Sequence, residues 1–555
     1  MPAFLSRCLT ALACGTVLLF AGGCSDDQIS AREGAAKKIF LINNRSEPRF
    51  LDLQRANSTA EHQINLALFE GLVAESKNSD RDVEPGVAER WEPNADKSVW
   101  TFHIRKNAMW SDGVPITAHD VVWSWRRMLM KELGSEYSKM LFLLKNGEAF
   151  YQKKVPAEEL GVRAVDDYTL EVALVGPTPH YPSIACHTSW WMVPRHAIEK
   201  WGGITDVMNP WFEPGKMVSN GPFTLKRYTF RRYLETERNP RYWDAATVKL
   251  DGVRFYAIES DNTEERIFRR GQLHATYNVP LAKIPDYMRD HPDVISNQLN
   301  LAIRLYRVNI ARGPLKDVRV RRALGFSLDR QSMIDNILRA NEKPALGIVP
   351  PMEGYEGVKE FRFDPAEAKR LMAEAGFPDG KGFPTNLNIL ISKSEVAVQI
   401  AEAVQAMWKE HLGISVGIAS QDYTVYLTSQ QQKDYDIAFG GWNADYYDPA
   451  TFVDMWVTEG GNNHTNWSSA EFDKLVFDAT QCADAEKRLK ILHDAEAVAL
   501  KDAAVLPIYY ITRTRLIHPA VKEWQPRALD NRLWKYMDLI SPPPPCSMDD
   551  ELKRD

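Results

Sequence analysis

At 555 residues the chain is too long for one ordinary hydrophobic core, so two or three domains are expected. Hydrophobic and charged fractions of 44% and 26% are those of a soluble globular protein and exclude a largely disordered one. A net charge of −6 over this length argues against nucleic acid as the partner, and the 16 Trp, 20 Tyr and 22 Phe suit a binding cleft and a large core equally.

The first 23 residues read as a signal peptide. Arg7 precedes an apolar run over residues 9–20, too short to span a bilayer, and Ala21, Gly22 and Gly23 lead to Cys24. The stretch resembles a bacterial lipoprotein signal, which implies cleavage before Cys24, lipidation of that cysteine and a flexible tether over residues 24–38. No later segment has the ~20 consecutive apolar residues of a membrane-spanning helix. Besides Cys24, the mature chain keeps Cys186, Cys482 and Cys546, without C-x-x-C spacing; zinc ribbons and a dense disulfide framework are excluded, and a single long-range bridge is left open.

Ile39, Phe40, Leu41 and Ile42 form the first expected strand, and Asn57, Ser58 and Thr59 precede a helix with Ile64, Ala67, Leu68 and Leu72 at helical spacing. Residues 100–105 and 168–174 alternate like half-buried strands. Between them Thr117 and Asp120 open a helix whose stripe is Val121, Trp125, Met128 and Leu129. The basic run at 316–322 reads as a solvated helix face with internal ion pairs. Asp364, Pro365 and Glu367 start a helix that Gly376 stops. A helix over 395–412 ends at Gly413 and is followed by a strand; helix then strand, repeated to Asp436, implies an α/β domain with largely parallel strands. Helices about 469–480 and 484–502 and a strand at 506–510 follow, and residues 542–555 are expected to be a disordered tail.

The chain's chemistry concentrates in residues 435–449. Ile437, Ala438 and Phe439 are a short apolar run, the pattern of a strand buried on both faces. Gly440 and Gly441 remove side chains, allowing another backbone to approach; Trp442 follows, and Asp445 stands among Tyr446 and Tyr447. Such a strand end suits an extended ligand with a positive amine, while a core strand entering an Asx-type turn at Asp445 is the other reading. No H-E-x-x-H, G-x-S-x-G or correctly placed G-x-G-x-x-G occurs. Neither enzymatic activity nor a metal or cofactor is expected.

The phrase from Trp110 to Trp125, W-S-D-G-x-P-x-T-A-x-D-V-x-x-S-W, resembles the signature of bacterial periplasmic oligopeptide- and dipeptide-binding proteins, the solute receptors of peptide ABC transporters. Leu68-Phe69-Glu70-Gly71-Leu72, Asn239-Pro240-Arg241-Tyr242-Trp243 and Gly441-Trp442-Asn443-Ala444-Asp445-Tyr446 are similar to further phrases of that family. The resemblance implies an α/β, two-lobed periplasmic-binding-protein fold with mixed sheets, an extra inserted domain and a ligand buried between the lobes. Residues 39–69, 194–301 and 512–541 would form lobe I, 70–193 the inserted domain and 302–511 lobe II. It implies a monomeric extracytoplasmic lipoprotein that captures oligopeptides in extended form and delivers them to a membrane permease driven by ATPase subunits.

By the same resemblance Asp445 pairs with the ligand ammonium. Gly441, Trp442 and Asn443 on one side and Asn57, Ser58 and Thr59 on the other offer backbone, and Tyr137, Tyr277, Tyr423 and Trp442 are walls. Leu338, Ala397, Gln430 and Phe439 stand where relatives carry bases for the peptide carboxylate; Arg312, Arg339 and Lys393 lie near those places. The alternatives are a receptor of the same fold for a murein peptide, opine, metal chelate or oligosaccharide, and a sensing or chaperoning lipoprotein without transport.

Overall fold

The computed structural model describes residues 29–552, so the signal peptide and Cys24 lie outside the described residues. The chain builds two separate large cores. One gathers residues from the first half of the chain together with Ala520, Trp534, Met537 and Leu539; the other gathers side chains from Leu301 to Ala528.

The first core is shared by two four-stranded sheets. In one, Ile39–Asn43 pairs in parallel with Gly252–Tyr256, and Tyr233–Arg238 and Phe223–Thr229 continue antiparallel. The other is an antiparallel sheet of Ala88–Pro93, Val99–Ile104, Thr169–Ala173 and Val162–Asp166. Val99–Ile104 alternates between partly and fully buried residues, as a strand with one face on a core must. Helix Thr59–Leu68 is entered through a reciprocal cap between Ser58 and Glu61 and buries Ile64, Ala67 and Leu68.

The second core lies around a six-stranded mixed sheet. Its order is Lys343–Pro344, Val505–Leu516, Ile295–Val308, Ile437–Asn443, Asn388–Ser392 and Gly417–Gln421. Only Asn388–Ser392 pairs in parallel, with Ile437–Asn443 on one side and Gly417–Gln421 on the other. The parallel part is the helix–strand repeat expected from the sequence; the antiparallel part comes from the 14-residue and 12-residue strands Ile295–Val308 and Val505–Leu516. These two run side by side, and their ladder shifts register between Leu299 and Ile303. One end packs with Phe268 and Leu273, the other enters the second core, so both strands pass between the halves of the molecule.

Both chain ends depart from expectation. Residues 24–38 were expected as a flexible tether, but Ala31–Ala36 is a helix with a Ser30–Glu33 capping box, and Ala31 and Ala35 are buried. Ala31 N–H donates to Gly271 O at 2.7 Å. The alanines that made the stretch look featureless are what lets it lie flat against the chain around Gly271. Similarly, the expected disordered tail packs up to Leu552. Met548, 2% exposed, enters a cluster with Phe268 and Leu273; Ser547 N–H donates to Asp293 at 2.8 Å; and Asp549–Leu552 is helical. The prolines end at Pro545, and one apolar anchor beyond them is enough to dock the segment. Among the described residues no helix is long and apolar enough to cross a membrane, and Cys186, Cys482 and Cys546 are free thiols.

Candidate functional site

The strand Ile437–Asn443 begins buried and ends open. Ile437, Ala438 and Phe439 are in the core, Gly440, Gly441 and Trp442 are half-buried, and Asn443 is exposed. Along one edge it pairs with Ile295–Val308 over its whole length, from Ile437↔Val308 to Asn443↔Ala302. On the other edge Asn388–Ser392 pairs only with Ile437 and Ala438. Residues 439–443 therefore leave a sheet edge without a neighbouring strand, the requirement for adding an extended chain by β-augmentation. Side chains already reach this edge: the Tyr426 hydroxyl donates to Phe439 O, and Arg307 Nη2 approaches Gly441 O at 3.5 Å.

The two glycines admit neighbours from within the chain itself. A Cβ on Gly440 would overlap Arg307 Nη1, and one on Gly441 would overlap both Ile303 O and Arg304 Nη1. What the missing side chains admit is two arginines and a carbonyl of the adjacent strand.

Past the strand, the chain is pinned around Asp445. Its N–H donates to Thr451 Oγ1 at 3.3 Å, and the Trp442 indole N–H donates to the same oxygen at 3.2 Å. Asp448 takes over the local turn, accepting from Ala450 N–H at 2.9 Å and holding Arg488 through two bonds of 2.8 and 2.9 Å. The Asx-type turn that the sequence allowed at Asp445 thus falls to Asp448. The Asp445 carboxylate has no ion pair or side-chain hydrogen bond among the described residues, and burial alone pushes its pKa from 3.8 to about 7.

Tyr137, which packs against the first core, faces this carboxylate. Burial, and then the Asp445 charge, raise its phenol above the usual tyrosine range. Its ring lies 5.1 Å from that of His187, which stacks at 6.2 Å on His62. His62 Nε2 is 2.7 Å from Asn531 Oδ1. Burial lowers both imidazoles, His187 to about 3, so this wall is neutral. Beside it the halves of the molecule touch: Arg488 Nη2 donates to His180 Nε2 at 3.1 Å, and the Tyr446 ring lies 6.1 Å from His180. Asp445 therefore sits where the side of the molecule built on the first core meets the second core.

The other residues expected at the site fall differently. The amides of Asn57 and Ser58 are taken by the buried Glu61 carboxylate, at 2.8 and 3.0 Å, and Ser58 caps the following helix. Thr59 is that helix's exposed first residue. These amides are occupied, which leaves the segment's carbonyls and side chains. Tyr423 is 65% exposed and stacks 6.1 Å from Tyr426, so it stands next to the open edge. Tyr277 belongs to a separate group, with Arg45, Arg513 and Arg515 each under 6 Å from its ring (5.7, 5.8 and 5.7 Å), and its N–H is held by Glu264. Gln430 and Phe439 are buried, Gln430 as the acceptor of Arg307 at 3.1 Å and Phe439 against Tyr306. Leu338 and Ala397 are core residues. Of the nearby bases, Arg312 pairs with Asp434 and Lys393 with Asp422, both at 2.9 Å; Arg339 Nε donates to Asn336 O. Missed from the sequence were Glu61, His187, Tyr426, Arg304 and Arg307. Two arginines inside the otherwise apolar run 301–308 were the one visible signal.

Comparison with known proteins places this geometry. The family model "Bacterial extracellular solute-binding proteins, family 5 Middle" matches residues 82–464. The periplasmic oligopeptide-binding protein OppA of Salmonella typhimurium is 34% identical over 539 residues, covering 95% of this chain and 97% of its own. Haemophilus influenzae OppA, solved in complex with RPPGFSPFR, superposes with a TM-score of 0.77 at 30% identity, covering 91% of this chain and 99% of that one. The Escherichia coli murein tripeptide binding protein MppA gives 0.77 at 29% identity, with 90% and 98% covered. These are solute-binding proteins rather than enzymes, with the two-lobed fold seen here. With a model match across most of its length and such identity over nearly all of it, the chain belongs to the family 5 bacterial extracellular solute-binding proteins.

Proposed function

We propose that this protein captures oligopeptides in extended form and hands them to a membrane ABC permease for import. The observation that carries this reading is the Asp445 carboxylate: half-buried between the two halves, without a cationic partner among the described residues and beside an open strand edge. A buried acid in that state favours a ligand that brings its own positive charge. A peptide whose ammonium meets Asp445 would run antiparallel to residues 439–443, with Tyr137, Trp442 and Tyr423 beside it. Tyr277 and the segment Asn57, Ser58 and Thr59 are assigned more distant wall positions. The relatives named for oligopeptides support the ligand class.

The rest of the assignment follows the same reading. Lobe I comprises residues 39–69, 194–301 and 512–541, the inserted domain 70–193 and lobe II 302–511, with the two long strands as the hinge. Cleavage before Cys24 and its lipidation would anchor a monomeric receptor at the membrane surface in the periplasm or cell envelope. A second reading, a murein peptide as cargo, is favoured by the apolar residues Leu338, Ala397 and Phe439 where a simple peptide's carboxylate base is expected, and by the likeness to MppA.

Native mass spectrometry of the purified protein, followed by titration with free-amine and N-acetylated peptides, tests the assignment. Co-purified peptides and much weaker binding after acetylation are expected. Equal binding of the two forms sinks the Asp445 assignment.

A further inference from the structure

Arg307 is an anomaly in the second core. It is 7% exposed, its Nε has no hydrogen-bond partner, and its remaining contacts are neutral oxygens: Gln430 Oε1 at 3.1 Å and Gly441 O at 3.5 Å. Tyr426, Tyr435, Trp456 and His464 surround it, and no carboxylate lies within ion-pair distance among the described residues. Its nearest charged neighbour is another cation, Arg304, three residues back on the same strand and bonded to Tyr509. Removing a guanidinium from water without an anion is costly, and placing a second one beside it adds repulsion. Two neutral oxygens and the Trp456 ring offset only part of that cost, and among the described residues no anion offsets the rest.

The paths of the two side chains give a reason. Both start on Ile295–Val308 and lean over the neighbouring strand at its two bare positions, Arg307 at Gly440 and Arg304 at Gly441. Successive residues of a strand face opposite sides, so the two arginines straddle the strand. Arg307 reaches a carbonyl at the unpaired edge, where Tyr426 also donates. The bare position at Gly440 thus lets one positive charge, that of Arg307, cross to the open edge.

We infer that Arg307 forms an anion seat at this open edge that takes a ligand carboxylate a few residues from the amine bound at Asp445, with Arg304 adding positive charge from the opposite face of the strand. The inference rests on the peptide-receptor reading and adds the second fixed point that reading lacks. Four residues separate Gly441 from Asp445, about 13 Å of extended chain, so the carboxylate falls roughly three to five residues along the ligand. Either a short peptide's C-terminus or an acidic side chain of a longer one would supply it. The guanidinium need only exchange Gln430 and Gly441 for the carboxylate, in the paired geometry that arginine favours.

The test is calorimetric titration of the full mature protein, freed of co-purified ligand, with four probes: tetra-alanine, its C-terminal amide, its N-acetyl form, and an amide carrying glutamate at the third or fourth position. In the wild type, amidation is expected to weaken binding roughly ten- to hundredfold. In R307Q, with R304Q as the second variant should the first fold poorly, amidation should cost much less. Recovery of the amide's affinity by glutamate would identify a side-chain carboxylate as the natural source; no recovery would identify the C-terminus. An amidation penalty that is absent, or equally large in both variants, overturns the anion seat. Loss on acetylation alone then leaves the Asp445 reading standing, whereas sensitivity to amidation without sensitivity to acetylation overturns only the Asp445 reading. Failure of every probe overturns both.

Discussion

Asp445 titrates in a range where two opposite demands meet. Burial holds its pKa at about 7, against 3.8 for the free group. A raised acid pKa means the folded state binds the proton more tightly than the unfolded chain. The native state is therefore favoured at low pH and loses stability as pH rises from about 4 to about 7. Asp445→Asn should remove that loss, stabilising the empty protein at pH 8 by up to about 4 kcal/mol and leaving it unchanged near pH 3, as measured by urea denaturation at the two values. The same substitution should abolish high-affinity peptide binding, and Asp445→Ala should weaken it by ~2–5 kcal/mol because the ligand ammonium is left unpaired. Wild-type affinity should be greatest between the carboxylate's pKa and the ligand amine's at about 8, falling about tenfold per pH unit below the former. Calorimetry from pH 5 to 9 would show a flat acid limb only if Asp445 is not the anchor.

At the scale of the element, Gly440 and Gly441 look equivalent in sequence and are not equivalent in space. The obstacle to a side chain at Gly440 is the tip of Arg307, which can swing away; the obstacle at Gly441 includes the Ile303 carbonyl, which cannot. Gly441→Ala should therefore cost about 1–3 kcal/mol of stability. Gly440→Ala should cost little and instead displace Arg307 from the open edge. Denaturation midpoints of the two variants check this ordering, and comparable losses would contradict the geometry. The apolar run, the strand end and the carboxylate were legible in the sequence because each is a local pattern. The helix caps at Ser58 and Asp364 were legible for the same reason. The purpose of the glycines was not, because it depends on which strand lies alongside and on side chains 133 and 137 positions away in the chain, at Arg307 and Arg304. Gln430 illustrates the same limit: read alone it is a lost base, but in the fold it is the acceptor that holds Arg307. At the chain ends, polar and proline-rich composition concealed two docking anchors, a capping box and one methionine.

For the whole molecule, the question is what keeps two cores closed over a ligand. Among the contacts between them, the buried Arg488–Asp448 pair extends to His180, next to Tyr181 of the first core, giving closure a titratable contact. The geometry requires an unprotonated Nε2, since it accepts from Arg488, and burial lowers His180 from 6.5 to about 4. A lowered histidine pKa means the closed form prefers the neutral ring. Its contribution is complete above about 6.5 and is lost as pH falls toward about 4, where opening lets the ring take a proton in water. At pH 5.5 the cost of keeping His180 neutral is about 1.4 kcal/mol, enough to shift a closed–open balance tenfold. The buried His187 and His62 push in the same direction, whereas the empty site's Asp445 pushes the other way until a ligand ammonium fixes its charge. The His180 effect is isolated by His180→Gln, which keeps an acceptor for Arg488 but cannot be protonated. With saturating peptide, small-angle scattering should show the wild type opening between pH 7 and pH 5 more than the variant. Identical profiles would mean that closure depends on the ligand and the long strands alone, with no part played by this contact.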